Sequence, residues 1–338
     1  MEINAIVLAG GKGTRMKSDN PKCAHIIIDK PMVEYVIDTL RELKIKNIVT
    51  VVGYGKEVVM KLVEGKTKFA IQEEQLGTAH AVAQTQSLLE GKDGITIIAI
   101  GDVPFIRRET LYSLLINHMQ EQADLTVLTV EHPEPSGYGR ILRNKNGDLI
   151  KIIEDRDCSK EQTAIREINS SIYAVDNLLL FKHLKDIKNN NVQKEYYLTD
   201  LVEIFLKNNY RVNGYKTNNY KEISGINNKI QLMEMESEYQ ERILENHLLN
   251  GVTLHNPKTL QIGKDAILEQ GATIMQNTQI LGVSKIGKNA VIGPNTIINN
   301  SIIGANSNIY CSVVKNSKMK DRTKIGPFKY WDENKEQE

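Results

Sequence analysis

The chain has 338 residues, enough for two domains, and its 41% hydrophobic and 25% charged residues are ordinary for globular proteins. Lysine and arginine number 43 against 42 aspartate and glutamate, and a net charge of +1 gives no electrostatic reason to expect nucleic acid or a membrane surface as a partner. The cysteines Cys23, Cys158 and Cys311 have neither disulfide nor zinc-site spacing, and no leader or long apolar run occurs, so we expect a cytoplasmic protein.

A glycine-rich loop follows the first apolar run of the chain. Residues 4–8 have the composition of a buried strand, and the next residues read Ala-Gly-Gly-Lys-Gly-Thr-Arg-Met up to Met16. Glycine lets backbone N–H groups approach a ligand closely, which suits an anion. Two common phosphate loops are excluded, because Gly13 follows Lys12 where one needs Ser or Thr, and Met16 replaces the third glycine of the other.

Up to residue 228 the sequence alternates short apolar runs with amphipathic segments. We predict a helix at 32–43 and strands at 47–53 and 95–102. This alternation is typical of an α/β domain, Rossmann-like, with a mostly parallel sheet covered by helices. Since ligands bind beyond the carboxyl ends of such strands, we expect Gly10 and Asp102 to meet across one crevice.

The pattern changes after residue 228. Residues 229–250 have helical spacing and predict a linker helix. Aliphatic residues then recur every six positions, which predicts a parallel β-helix over 251–328 and leaves a polar tail at 329–338. The predicted inward aliphatics are Ile262, Leu268, Ile274, Ile280, Ile286, Ile292 and Ile298, followed after one slip near Ser301 by Ile303, Ile309, Val313, Met319 and Ile325.

Nine short stretches in the expected order then resemble those of one enzyme family. They lie at 8–16, 21–22, 72–81, 101–104, 137–140, 153–154, 167–169, 195–200 and 225–228. The family is that of the bacterial N-acetylglucosamine-1-phosphate uridyltransferases, which carry a nucleotidyltransferase domain followed by a left-handed β-helix. The resemblance implies Mg²⁺-dependent transfer from UTP to N-acetylglucosamine 1-phosphate. It further implies pyrophosphate and UDP-N-acetylglucosamine, a cell-envelope precursor, as products, and a homotrimer formed through the β-helix.

The resemblance also assigns roles to residues, and each role has a physical reason. Arg15, Lys22 and Asp102 match the catalytic residues, since fixed cations suit the charge that develops on the phosphates. Asp102 and Asn227 match the ligands of Mg²⁺, which prefers hard oxygen atoms. The residues expected to bind substrate are Leu8, Ala9, Gly10, Gly11, Lys22, Gln72, Gly77, Thr78, Ile100, Gly101, Asp102, Gly139, Glu154, Asn169, Tyr197 and Asn227. The resemblance implies that Gln72 and the backbone of Ala9, Gly10, Gly77 and Thr78 hold the base, and that Gly139, Glu154 and Asn169 bind the sugar. Tyr196 and Tyr197 suit the wall of a pocket and the packed core equally well.

Some positions depart from the family pattern and leave alternatives open. Gly10 replaces a usual alanine, Ile100 a usual tyrosine, and Ser170–Ser171 a usual Thr-Gly pair. Another sugar phosphate, such as glucose 1-phosphate with UTP or dTTP, therefore stays a candidate, as does a noncatalytic subunit that binds nucleotide sugars.

The family's bifunctional members carry an acetyltransferase on a longer β-helix. We expect no acetyltransferase activity here, because the last histidine is His255 and amine acylation normally uses a histidine base.

Overall fold

A computed structural model describes residues 2–334 and divides them into two compact units. The first unit comprises residues up to His25 and Pro31–Lys229, and the second comprises Ile26–Lys30 and the residues from Ile230 onward. In the part of the chain that is described, no helix is long and apolar enough to cross a membrane.

The first 217 residues contain most of the long strands and helices. The strands are β1 Ile3–Ala9, β2 Ile26–Ile27, β3 Lys30–Pro31, β4 Asn47–Val52, β5 Lys68–Ile71, β6 Ile95–Ile100, β7 Leu125–Glu131, β8 Arg140–Arg143, β9 Leu149–Ile153, β10 Glu167–Asp176 and β11 Val212–Thr217. The helices up to residue 223 are α1 Met32–Glu42, α2 Lys56–Leu62, α3 Thr78–Ala83, α4 Gln86–Leu89, α5 Arg108–Gln120, α6 Asn177–His183, α7 Leu201–Lys207 and α8 Tyr220–Ile223.

The central sheet of the first unit has the strand order β11-β7-β10-β6-β1-β4-β5, and off this path β8 pairs with β10 and β9 pairs with β8. β6, β1, β4 and β5 run parallel, and β10 is antiparallel to both of its neighbours. Side chains of α1 and α5 fill one buried cluster, and those of α3, α6 and α7 fill another. The predicted α/β fold with a mostly parallel sheet is therefore confirmed.

This topology decides where the glycine-rich loop lies. β1 pairs with β4 on one side and with β6 on the other, and its strand residues are nearly all apolar and buried. Because parallel strands end at the same edge of the sheet, Gly10, Gln72 and Asp102 follow β1, β5 and β6 at one edge.

The second unit contains one long helix and a set of short parallel strands. The helix is α9 Lys229–Leu249. The strands are β12 Thr253–Leu254, β13 Gln261–Ile262, β14 Ile267–Leu268, β15 Thr273–Ile274, β16 Gln279–Leu281, β17 Lys285–Ile286, β18 Val291–Ile292, β19 Ile297–Asn299, β20 Ile302–Ile303, β21 Asn308–Ile309, β22 Val313–Lys315, β23 Lys318–Met319, β24 Lys324–Ile325 and β25 Tyr330–Asp332. They form three parallel sheets, as expected for a left-handed β-helix of hexapeptide repeats.

The coils of the β-helix do not all have the same length. Gln261 pairs with Gln279 and Gln279 with Ile297, eighteen residues apart each time, whereas Ile297 pairs with Val313, sixteen residues further on. Val314 is consequently the fully buried residue of β22, and the prediction that Val313 points inward was wrong. A single slip near Ser301 was predicted, whereas the buried residues Ile298, Ile303, Ile309 and Val314 are five, six and five positions apart, so this coil is one residue shorter on two of its sides.

Both the long helix α9 and residues 330–332 are joined to the β-helix, by hydrogen bonds to its backbone or by strand pairing. Gln240 of α9 exchanges hydrogen bonds with the backbone N–H and C=O of Ile262, 3.1 and 3.3 Å long. Tyr330–Asp332, assigned from sequence to a polar tail, pair in parallel with Val313–Lys315. Residues 335–338 of that tail lie outside the described residues.

Candidate functional site

The glycine-rich loop turns sharply after β1 and brings a lysine beside it. Gly13 has a φ of 65°, and a Cβ atom at this position would lie 2.5 Å from Cβ of Lys22. Any side chain here would therefore push Lys22 away or strain the backbone. Lys22 opens a short 3₁₀ turn, Lys22–Ala24, directly after Pro21.

Four polar side chains from distant parts of the chain meet beside this loop. The Lys22 ammonium contacts the carboxylate of Asp102 and donates to the amide oxygen of Asn227 at 2.7 Å. Arg15 donates to the same amide oxygen at 2.8 Å. The backbone N–H of Ile226 donates to the carbonyl of Asp102 at 3.0 Å, which holds the Asn227 segment against the end of β6. The four residues predicted to serve the phosphates and the metal thus form one cluster.

The cluster is only partly shielded from solvent. The side chains of Lys22 and Asp102 are 14% and 21% exposed, and Arg15 is exposed. Asp102 Oδ1 is buried and has no hydrogen-bond partner among the described residues. The Asp102 carboxylate and the Asn227 amide oxygen, which both contact the Lys22 ammonium, are a donor set that suits a hard divalent cation. Groups of three or more acidic, histidine or cysteine side chains that could hold a metal are absent from the described residues.

A cavity of about 250 Å³ opens next to the cluster. It is lined by many of the residues that the sequence assigns to substrate binding, namely Leu8, Ala9, Gly10, Gly11, Lys22, Gln72, Gly77, Thr78, Ile100 and Asp102. Gly101 lies at its edge, where its N–H donates to the carbonyl of Leu8 at 2.9 Å.

The wall opposite the glycine loop is built by two loops that pack together. Gly77 has a φ of 116°, and a Cβ atom there would lie 2.5 Å from the backbone oxygen of Tyr196. The N–H of Tyr196 donates to Leu76, and Thr78 Oγ1 accepts from the N–H of Leu198 at 2.9 Å. Glycine at position 77 therefore allows the loop that carries Tyr197 to close this side of the cavity.

The residues predicted to bind the sugar form a neighbouring group. The N–H of Asn169 donates to the carbonyl of Gly139 at 2.8 Å, and Glu154 Oε2 lies 3.5 Å from where a Cβ atom of Gly139 would be. The hydroxyl of Thr199 donates to Glu154 Oε1 at 3.0 Å. Burial raises the pKa of the Glu154 carboxyl above its ordinary value, and nearby acidic residues add to the effect.

Tyr138 connects the residues predicted to bind the sugar to the cluster that contains Lys22, Asp102 and Asn227. Its hydroxyl accepts a hydrogen bond from the N–H of Gly225 at 3.3 Å, two residues before Asn227. Since Tyr138 directly precedes Gly139, the segment that carries Gly139 is tied to the segment that carries Asn227.

Tyr197 is buried, and its hydroxyl has no hydrogen-bond partner among the described residues. It lines a second cavity, of about 390 Å³, together with Glu154 and Thr199. The structure therefore places Tyr197 both in the packed interior and beside Glu154, so it fits each of the two readings that the sequence left open.

Sequence reasoning missed several residues that line the first cavity: Cys23, Gln75, Ala81 and Glu195. Gln75 stands in the same matching stretch as Gln72, and that position was a usable signal. Cys23 gave no signal, because a lone cysteine is usually inert. Its thiol donates to the carbonyl of Ala9 at 3.4 Å, and burial raises its pKa to about 12, so it is a packing group and not a nucleophile.

A glycine-rich loop, cations and a lone carboxylate at the ends of parallel strands define a nucleotidyltransferase site. The sequence pattern of the family described as Nucleotidyl transferase matches residues 4–222, and that of the bacterial transferase hexapeptide, with six repeats, matches 265–300. The chain is similar to the bifunctional protein GlmU of Brevibacillus brevis, with 41% identity over 329 residues that cover 97% of this chain and 71% of that protein. GlmU of Bacillus velezensis is 42% identical over 324 residues, which cover 96% of this chain and 71% of that protein. The chain belongs to the GlmU family of nucleotidyltransferases.

Proposed function

We propose that the chain transfers a uridylyl group from UTP to N-acetylglucosamine 1-phosphate, with release of pyrophosphate. The observation that carries the proposal is the contact of Lys22 with both Asp102 and Asn227 beside the glycine-rich loop. In this reaction a phosphate oxygen of the sugar attacks the α-phosphorus of UTP, a new P–O bond forms, and the bond to the β-phosphate breaks. No general base is needed, because the attacking phosphate is already ionised.

Lys22 and Arg15 are the cations that we assign to the developing charge. Both side chains converge on Asn227 Oδ1, so their positive groups lie within a few ångströms of one point. Fixed cations lower the barrier when charge increases on the nonbridging oxygens and on the departing pyrophosphate. The exposed position of Arg15 suits contact with the outer phosphates, and the more buried Lys22 suits the α-phosphate.

Asp102 and Asn227 are the residues that would hold Mg²⁺. The members of this family generally use this ion, and the oxygen atoms described above fit it. When bound, Mg²⁺ supplies charge neutralisation to the phosphates and aligns them. The Lys22 ammonium then pairs with phosphate oxygens in place of its contacts with these two side chains.

The cavity beyond the phosphate cluster is assigned to the uracil base. Gln72 offers an amide, and the backbone of Ala9, Gly10, Gly77 and Thr78 offers further donors and acceptors. We assign the acetamido group and hydroxyls of the sugar to Gly139, Glu154 and Asn169, with Tyr197 beside them. The use of a nucleoside triphosphate suits a cytoplasmic enzyme, and the hexapeptide coils suit a homotrimer.

The test is a panel of purified-enzyme assays that record pyrophosphate release. UTP, dTTP and CTP are each combined with N-acetylglucosamine 1-phosphate or glucose 1-phosphate, with and without Mg²⁺. We expect the highest kcat/KM for UTP with N-acetylglucosamine 1-phosphate, and no turnover without the metal. A higher kcat/KM for another pair would replace the proposed substrates, and nucleotide-sugar binding without turnover would favour the noncatalytic alternative. Acetyl transfer from acetyl-CoA to glucosamine 1-phosphate is not expected from this chain.

A further inference from the structure

We infer that His80 is a positioning residue that selects uracil over cytosine by fixing which atom of the Gln72 amide faces the base. The inference rests on the proposed use of Gln72 in base binding. It adds a residue that does not line the nucleotide cavity and is assigned no role above.

Gln72 is held by two groups on the same side of its amide. Only 4% of the residue is exposed, and its Nε2 lies 3.2 Å from the carbonyl oxygen of Gly77 and 3.2 Å from Nδ1 of His80. A primary amide has two N–H donors, so Nε2 satisfies both groups if each of them accepts. The Oε1 atom then lies toward Gly10, where a Cβ atom on the glycine would approach it to 3.0 Å.

Whether Nδ1 accepts depends on the tautomer of the imidazole. A neutral histidine has one ring nitrogen that donates and one that accepts. If Nδ1 carried the proton, Gln72 would have to turn its Oε1 toward it, and that oxygen would then lie beside the carbonyl oxygen of Gly77. Two acceptors without a proton between them repel, so the Gly77 carbonyl and an unprotonated Nδ1 favour the same orientation of Gln72.

The other side of the ring must then donate. His80 Nε2 lies 3.1 Å from Nε2 of Gln84, which also donates to the backbone carbonyl of His80 at 3.0 Å and belongs to a residue less buried than Gln72. A neutral imidazole has only one accepting nitrogen, so it cannot accept hydrogen bonds from the NH₂ groups of both Gln72 and Gln84. Turning the Gln84 amide gives up its bond to the His80 carbonyl, but water can replace that bond because this amide is nearer to solvent, so its reorientation costs less than that of Gln72. We therefore assign the proton to Nε2 of His80 and the accepting role to Gln84.

An amide oxygen aimed into the cavity has a definite chemical preference. It accepts a hydrogen bond from the N3–H of uracil or thymine, whereas N3 of cytosine is itself an acceptor. A site that would leave two acceptors facing each other rejects the wrong base more strongly than a site that merely lacks a contact. His80 thus controls base selectivity through Gln72 without touching the nucleotide.

The experiment compares His80→Leu, which removes the acceptor, with His80→Asn, whose side-chain amide can place an oxygen near the position of Nδ1. Dissociation constants for UTP and CTP are measured by calorimetry, and kcat/KM for both nucleotides by pyrophosphate release. We expect the preference for UTP over CTP to fall roughly tenfold in His80→Leu, about the value of one hydrogen bond, and to recover largely in His80→Asn. KM for the sugar phosphate should not change. Gln86→Leu, on the next helix and bonded to Glu90, is the matched control.

Two results would overturn the inference. One is an equal loss of UTP and CTP binding in His80→Leu, since that is the mark of a purely structural role. The other is a protonated Nδ1 in the ¹⁵N spectrum of histidine-labelled protein, with the His80 signal assigned from its loss in His80→Asn. A wild-type protein that discriminates UTP from CTP in binding but forms no pyrophosphate would remove the proposed function and leave the inference in place. An active enzyme whose base preference is unchanged in His80→Leu would keep the proposed function and overturn the inference.

Discussion

Lys22 and Asp102 are 80 residues apart in the chain, yet their side chains form an ion pair at the carboxyl edge of the central sheet. The pair uses Asp102 Oδ2 and leaves the buried Oδ1 without a partner among the described residues. An ion pair that is mostly withdrawn from water contributes little net stability, because the desolvation of the two charges offsets their attraction. The arrangement is therefore better explained by the proposed catalysis than by folding, because in that reaction a phosphate would be the second partner of Lys22 and a metal ion that of Asp102.

Replacement of Asp102 by alanine should abolish turnover, because the metal then lacks its carboxylate ligand and the charge on the phosphates is no longer neutralised. We expect kcat to fall at least about a hundredfold, while the thermal midpoint changes by only a few degrees. The measurement is a Mg²⁺ titration of pyrophosphate release, with Asp102→Asn as the matched variant of the same shape. The assignment to the metal fails if either variant keeps most of its Mg²⁺-dependent activity.

Lys22→Ala and Arg15→Ala should lower kcat more than they raise KM for UTP. Both cations are assigned to charge that exists mainly in the transition state, and interactions of that kind appear in kcat. The control is Lys46→Ala, which removes an exposed cation outside the glycine-rich loop. An unchanged kcat with weaker UTP binding would mean that these side chains only position the substrate.

The glycine-rich loop and the hexapeptide period were predictable because both are local patterns. Gly10, Gly11 and Gly13 fall within four positions, and the aliphatic repeat extends over several coils. Asn227 was not predictable from pattern alone, since it lies 205 residues from Lys22 and by itself is typical of a turn. Only the family resemblance pointed to it.

Other features depend on packing that a sequence pattern does not encode. Nothing in the sequence indicated that Ile26–Lys30 groups with the second unit, since it is a short stretch between two elements of the first. The shift from Val313 to Val314 likewise follows from how coils stack, and the period of six does not reveal on which side a residue is lost.

Glu154→Gln should raise KM for N-acetylglucosamine 1-phosphate roughly 10- to 100-fold, because a hydrogen bond to a charged group contributes about 1.5–3 kcal/mol. The buried carboxylate already accepts from Thr199, and its other oxygen lies near Gly139, where a sugar hydroxyl could bind. KM for UTP should not change. Steady-state kinetics with each substrate varied in turn measure this, and Glu161→Gln, at an exposed carboxylate, is the control. An equal increase for both substrates would place Glu154 outside the sugar site.

Asp200→Asn should stabilise the protein at neutral pH. Burial, with Glu203 nearby, raises the pKa of Asp200 from 3.8 to about 6. The folded state therefore binds a proton more readily than the unfolded state, and the stability tied to this proton is complete below about pH 4 and lost as the pH rises through 6. Asparagine carries no charge at any pH, so its thermal midpoint should exceed that of the wild type above pH 6 and approach it near pH 4. Melting curves from pH 4 to 8 measure the difference, and a difference that does not vary with pH would contradict the assignment.

The β-helix exposes a column of alternating apolar and basic residues on one of its sheets. Ile267, Lys285, Ile302 and Lys318 pair in succession from coil to coil, and the two isoleucines are 57% and 43% exposed. Apolar side chains on a flat face favour association with further copies of the chain, and closed symmetric oligomers are the usual result. Lys315, Lys318, Lys320 and Lys324 place like charges on the last described coils, which weakens a close interface there.

We therefore expect a trimer that dissociates on dilution and becomes tighter with added salt, because salt screens the repulsion between lysines. Light scattering after size-exclusion chromatography, at several protein and salt concentrations, measures the mass. A monomer mass under every condition would contradict the trimer, and a trimer weakened by salt would contradict the role given to the lysines.

Arg15, Lys22, Asp102 and Asn227 all belong to the first unit of one chain, so activity per chain should not fall as the trimer dissociates. If activity falls in step with the mass, a neighbouring copy must contribute to the active site.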